Sequence, residues 1–325
     1  MNAGPERLIG HDAAERALID GARSGRLHHA WLLTGPAGIG KATLARRFAT
    51  WLLAGQPGKD GLAVPSDHPV RRRVEANTHA DLLLVGRAFD EKKNRQRAEI
   101  VVEDTRRIAE FLRLTPAEGG WRIVVLDEAE HMNRAAANAL LKVLEEPPPR
   151  TVMLLASSVP GRLLPTVRSR CRLLRLDALG PVEMERALEA ALPELPLEER
   201  AVLAGLADGS PGRAVSLAGA QVGALGAFVS ELMARDAPDP LRDEAMVDAV
   251  LRNENGFEAF LELLCGAISG RVRERARSGM RDGGDPTATW SAIRRLRTET
   301  DRFNLEKRQA LLSGLALLND FHPAR

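Results

Sequence analysis

The chain has 325 residues, a net charge of +2, 44% hydrophobic residues and 28% charged ones. That length exceeds one ordinary compact core and predicts two or three domains, the composition is globular, and the near-neutral charge gives no global field that would demand nucleic acid. No apolar run approaches the roughly 20 residues that span a bilayer, so no membrane partner is expected. Residues 1–6 lack a basic segment leading into an apolar one, so a cytoplasmic location is expected.

Residues 30–33, Ala-Trp-Leu-Leu, read as a short buried strand that feeds the loop Gly35-Pro-Ala-Gly38-Ile-Gly40-Lys41-Ala42-Thr43. The pattern G-x-x-x-x-G-K is complete, but the next position should be Ser or Thr and is Ala42. In such loops the backbone N–H groups and the lysine hold phosphates, while the hydroxyl after the lysine holds Mg²⁺. Gly35, Gly38, Gly40 and Lys41 thus keep the means to grip a nucleotide, with ATP as the ligand, and lack a part that helps to hydrolyse it. Thr43 lies one residue further on, about 100° round the helix, so its hydroxyl is expected to point away from the metal. Mg²⁺ should bind weakly if at all, and hydrolysis by the chain alone should be weak or absent.

Residues 43–53 repeat apolar side chains at helical spacing (Leu44, Phe48, Trp51, Leu52), the strand–loop–helix setting of a phosphate loop. Between 54 and 79 the pattern fails amid Gly55, Pro57, Gly58, Gly61, Pro65 and Pro69, which predicts an irregular insertion. Arg71, Arg72 and Arg73 there read as a solvated helix face. Strands follow at 82–85, 121–126 and 151–156, with helices at 102–114 and 133–146, the latter stopped by Pro147-Pro148-Pro149. Alternating strands and helices predict an α/β domain whose mostly parallel sheet carries helices on both faces.

The third strand ends in Asp127 and Glu128. Beside a phosphate loop, the first acid holds Mg²⁺ and the second polarises the attacking water. A second reading makes both caps of the following helix.

After Asp177 the strand signals stop. Helices are predicted at 181–192 and 197–206, followed by Gly209-Ser-Pro-Gly212-Arg213, and then at 227–235, 243–253, 256–270, 289–300 and 305–317, with a loop at 281–284. The expected division is a nucleotide-binding-like domain over 1–177, a small helical segment over 178–220 and an all-helical domain over 221–325, which the family resemblance given below makes a lid and an oligomerisation domain. Only Cys171 and Cys265 are present, and both read as small buried hydrophobes. Two thiols do not build a four-thiolate zinc site, and no metal is expected.

Past the fourth strand the chain reads Pro165-Thr-Val-Arg168-Ser169-Arg170-Cys171. Together with the phosphate loop, the acidic strand end and Asn138-Ala-Leu-Leu-Lys142-Val-Leu-Glu-Glu-Pro-Pro148, this resembles bacterial clamp-loader subunits of DNA polymerase III, which are AAA+ ATPases. The resemblance runs from about residue 8 to 213. A degraded phosphate loop with a retained Ser-Arg-Cys, and no zinc thiolates between 54 and 79, is similar to the delta-prime family of these subunits.

The resemblance implies that Arg170 acts in trans on a nucleotide held by the neighbouring subunit, that Ser157 or Ser158 is the polar sensor near the γ-phosphate, Ser158 being favoured, and that Arg213 senses nucleotide from the lid. It further implies a hetero-pentamer with motor (gamma/tau) and delta subunits, a collar built from the helices after 221, and contact with the sliding clamp and primed DNA through the complex. Two other readings stay open. A self-sufficient AAA+ motor, of clamp-loader or branch-migration type, requires Thr43 to replace the missing hydroxyl. A P-loop kinase leaves Ser169-Arg170-Cys171 and the helical tail unexplained.

Overall fold

A computed structural model describes residues 8–58, 61–90, 95–118, 120–218, 222–235, 239–252, 256–278, 286–303 and 305–319. The loop expected at 281–284 lies outside them. The chain forms two compact units, one of Met1–Ala191 with Gly209–Gly212 and one of Leu192–Asp208 with Arg213–Arg325.

The first unit runs α1 (Asp12–Arg23), β1 (Ala30–Thr34), α2 (Lys41–Leu53), α3 (Pro69–Glu75), β2 (Leu82–Val85), β3 (Phe89–Asp90), β4 (Arg95–Gln96), α4 (Val102–Arg113), β5 (Arg122–Leu126), α5 (Arg134–Glu145), β6 (Thr151–Ser157), α6 (Pro165–Arg168), β7 (Arg172–Arg175) and α7 (Pro181–Ala191). Five strands form one sheet in the order β2-β5-β6-β1-β7, parallel throughout. A separate antiparallel pair joins β3 and β4. The expected α/β class with a parallel sheet is observed.

The three central strands are buried along their whole length, which is why they read as unbroken apolar runs. Side chains alternate between the faces of a strand. Leu32, Val124, Leu126, Met153 and Leu155 form one core with Ile108 and Leu112 of α4 and Leu140, Val143 and Leu144 of α5. Trp31, Leu33, Ile123, Val125 and Leu154 alternate with these and are buried, and α2 packs on β1, β5 and β6. From α2, Leu44, Phe48 and Trp51 are fully enclosed, each such side chain stabilising the fold by about 1.5–3 kcal/mol.

Two expectations are corrected. The segment 54–79 is not wholly irregular, because α3 forms over Pro69–Glu75. Pro69 opens the helix and the His68 side chain accepts a hydrogen bond from the Val70 N–H at 3.2 Å, while Val70 and Val74 are buried. The proline that seemed to break structure starts it, since the first helical position has no N–H to lose. A fifth sheet strand, β7, was also absent from the expected set. It is an edge strand in which only Leu174 is buried, so it has no apolar run to betray it.

The second unit contains α8 (Leu197–Leu206), most of α9 (Pro211–Ala218), α10 (Val222–Ala234), α11 (Pro240–Leu251), α12 (Gly256–Ser278), α13 (Pro286–Phe303) and α14 (Lys307–Asn319). The long α12 packs against α10, α11 and α13, and α14 against α11 and α13. Phe257, Phe260, Leu264, Ile268, Ile293 and Leu311 are buried in its core. Among the described residues no helix is long and apolar enough to cross a membrane.

Candidate functional site

The phosphate loop links β1 to α2, and its geometry needs glycine. Gly35 has φ +149°, and a Cβ there would lie 2.2 Å from the Leu176 carbonyl oxygen, so only glycine fits. Lys41 opens α2 and is 7% exposed. Its Nζ donates to the Gly35 carbonyl at 2.9 Å, the Pro36 carbonyl at 2.7 Å and Ser158 Oγ at 2.8 Å. An ammonium has three protons, and here all three are used inside the protein. Burial holds the Lys41 pKa below the ordinary lysine range, against the pull of Glu130, Asp127 and Glu128.

The other side of the loop is also engaged. Ser210 Oγ donates to the Ala37 carbonyl at 2.5 Å and the Gly212 N–H to the Gly38 carbonyl at 2.9 Å. A Cβ on Gly212 would come within 2.7 Å of the Gly38 oxygen. The stretch Gly209–Gly212 therefore sits directly on the loop, and the second glycine of the Gly-Ser-Pro-Gly motif permits that approach.

Because β6 lies between β1 and β5, Ser158 stands between the loop and the acids. Its hydroxyl accepts from Lys41 and its N–H donates to Glu130 Oε1 at 2.9 Å. Ser157 points instead into the interior and is fully buried. Asp127, at the end of β5, is pushed above the usual carboxylate range by burial and accepts the Glu128 N–H at 2.9 Å. Glu128 has φ +52°, and its carboxylate receives both Arg87 Nε and a terminal Arg87 nitrogen at 2.7 Å. Neither acid caps α5, which is capped by Asn133 through the Ala136 N–H at 2.9 Å.

Around this loop the described residues offer few ligands for Mg²⁺. Ala42 supplies no hydroxyl, Glu128 is tied to Arg87, and the Lys41 donors are spent on protein oxygens. Thr43 lies in the first turn of α2, past the end of the loop. Among the described residues no group of three or more His, Cys, Asp or Glu side chains is arranged to hold a metal. The two histidines of the 54–79 segment serve the backbone, His68 at the start of α3 and His79 by accepting the Asp81 N–H at 3.1 Å.

The Ser-Arg-Cys triplet gives each residue a different surrounding. Ser169 Oγ donates to the Thr166 carbonyl at 3.1 Å, fastening the turn that follows α6. Cys171 packs against the sheet core, and burial pushes its thiol up to about 12. Arg170 turns outward, with its side chain 34% exposed. One terminal nitrogen donates to the Thr166 carbonyl at 2.9 Å and the other meets Glu145 Oε1 at 2.6 Å. In the second unit, Arg213 pairs with Asp208 at 2.9 Å and with Glu262 at 2.8 Å.

The family model described as DNA polymerase III, delta subunit matches residues 10–180, more than half of the chain. The chain belongs to that family. The matched region contains the phosphate loop, the acid pair, Ser158 and Ser169-Arg170-Cys171. DNA polymerase III subunit delta' of Pseudomonas aeruginosa is 40% identical over 183 residues, which is 56% of this chain and 53% of that protein. The Escherichia coli subunit delta' is 36% identical over 202 residues, 62% of this chain and 57% of that one. The Escherichia coli subunit tau is 35% identical over 216 residues, 65% of this chain and 32% of that protein. The chain thus spans about half the length of the delta' relatives it matches and a third of tau. As in the delta-prime reading, the family assignment rests on the first unit.

Five members of the site were given no role from the sequence: Arg87, Glu130, Glu145, Ser210 and Gly212. The last two had a signal in the Gly-Ser-Pro-Gly run. Glu145 lies in the Asn138–Pro148 stretch and Glu130 beside the acid pair, but their partners stand 25 and 28 positions away, and Arg87, 41 positions from Glu128, had no signal.

Proposed function

We propose that this chain is the delta-prime subunit of a bacterial clamp loader, supporting ATP-driven loading of a sliding clamp onto primed DNA while hydrolysing little or no ATP itself. Its contribution to chemistry is Arg170, supplied in trans to a nucleotide held by a neighbouring motor subunit. The observation that carries the reading is the contrast in donors: those of Lys41 are turned inward, whereas the guanidinium of Arg170 is outward, ordered and partly free of protein acceptors. A planar, permanently charged guanidinium matches the oxygens of a transferring phosphoryl group, and such a finger is worth about 10³–10⁵ in rate.

The rest of the assembly follows from this role. The chain joins motor (gamma/tau) and delta subunits in a hetero-pentamer, with the helices after 221 as its collar and residues 178–220 as a small helical lid domain. Gly35, Gly38, Gly40 and Lys41 keep the loop's shape, and Asp127, Glu128, Thr43 and Arg213 have no step of their own to perform. Ser158 holds Lys41 in place.

The test is reconstitution with motor and delta subunits. Arg170→Ala should leave assembly intact by size exclusion and slow DNA-stimulated ATP turnover and clamp loading. Unchanged loading would refute the assignment of Arg170, and robust turnover by the chain alone, abolished by Lys41→Ala, would refute the inert loop.

A further inference from the structure

Arg170 does not stand alone. Its terminal nitrogens are held by two different elements: the Thr166 carbonyl of α6 at 2.9 Å and the Glu145 carboxylate at the end of α5 at 2.6 Å. Glu145 is the last residue of α5, where the helix dipole disfavours an acid. The proline run that begins at Pro147 stops the helix there. A dipole-disfavoured acid with a cation against it is a pairing in which the cation compensates the helix end.

The geometry points to Glu145 as a positioning residue for Arg170, aiming the guanidinium at the neighbouring subunit's phosphates before they arrive. This rests on the trans role proposed above. A guanidinium has five N–H donors. Two are taken by Thr166 and Glu145, and three stay available for phosphate oxygens. An arginine has a long, rotamer-rich stem, and holding it in one orientation removes the ordering that would otherwise accompany the reaction. Glu145 touches no reacting atom and acts only through Arg170. Glu146, its neighbour, is exposed and has no such geometry toward the arginine.

The experiment uses the full complex, with the motor subunits' own matching arginines changed to Ala so that this chain supplies the one remaining finger. ATP turnover is measured with primed DNA across ATP concentrations. Glu145→Gln should lower kcat by about tenfold with KM for ATP unchanged, Glu146→Gln should match the unmodified chain, and Glu145→Gln added to Arg170→Ala should slow the reaction no further than Arg170→Ala does. Assembly should be unaffected, since the Glu145 side chain is 48% exposed. Normal turnover with Arg170→Ala would sink the reading of Arg170 itself. Impaired Arg170→Ala with normal or faster Glu145→Gln would overturn only the positioning role. So would a Glu145→Gln defect that persists in the Arg170→Ala background, or a loss of assembly, because the residue would then be serving the fold.

Discussion

The phosphate loop and the turn at Arg170 both present a cation beside a parallel sheet, and they are built in opposite senses. At the loop, the ammonium of Lys41 is buried and its three protons meet Gly35, Pro36 and Ser158. The loop's outer carbonyls are occupied by Ser210 and Gly212. At the turn, Cys171 packs against the sheet core and Ser169 closes the local turn, while Arg170 keeps a third of its side chain in solvent. One cation is enclosed by protein oxygens, and the other leaves part of its charged side chain in solvent. The difference teaches that a complete glycine-lysine motif fixes backbone shape, whereas the partners its lysine meets are decided by the fold around it.

That comparison makes four predictions. The largest is kinetic. Arg170→Ala should lower turnover at the neighbouring motor site by about 10³-fold, yet change the chain's own unfolding free energy by under about 1 kcal/mol, as expected of a partly exposed ion pair. Calorimetry and single-turnover ATP hydrolysis would check the two halves, and a large loss of stability would erase the contrast.

Lys41→Ala should behave in the reverse way. Losing the ammonium leaves two loop carbonyls and Ser158 Oγ without their donor and removes the positive charge near Glu130 and Asp127, a destabilisation of about 2–3 kcal/mol. Clamp loading by the assembled complex should stay within about twofold, since a cost under about 0.4 kcal/mol in the barrier is all that factor represents. Denaturant unfolding beside a loading assay decides this, and a stable but inactive variant would show that the loop works as a nucleotide site.

Gly212→Ala comes next. Its added methyl would press on the Gly38 oxygen at 2.7 Å, which should destabilise the first unit by about 1–3 kcal/mol. Faster hydrogen exchange at residues 37–38 and 209–212 would locate the effect. Unaltered exchange there would mean that the Gly209–Gly212 segment does not hold the loop.

The smallest effect concerns pH. The Cys171 thiol is pushed up to about 12 by burial, so the folded state keeps its proton where an unfolded thiol, at about 8.5, has lost it. The folded state then binds more protons than the unfolded state, and stability falls as pH rises from about 8.5 toward 12. Iodoacetamide at pH 8 should leave Cys171 unmodified in the native chain and label it in denaturant, as read by peptide mass. Rapid native labelling would place the Ser-Arg-Cys turn further from the core than its packing implies.

Much of the architecture was legible in the residue order. The central strands β1, β5 and β6 were visible because both their faces are buried, which leaves an uninterrupted apolar run. The loop glycines were legible because backbone conformation is a local demand. Elements with one-sided burial were not: β7 shows only Leu174 to the core, and α3 hides behind the proline that begins it.

By itself the sequence determined the class of the domain, the position of the phosphate loop, its missing hydroxyl at Ala42, and the Ser-Arg-Cys triplet that marks the family. Those are properties of neighbouring residues, and short-range sterics and burial patterns write them into the chain. Only the tertiary structure decided what each charged group does with its charge. Lys41 meets Ser158 across 117 positions, Ser210 meets Ala37 across 173, and Glu128 meets Arg87 across 41. Such pairings depend on which strand lies beside which, and a hydrogen bond is lost over an error of one ångström that no spacing in a sequence specifies.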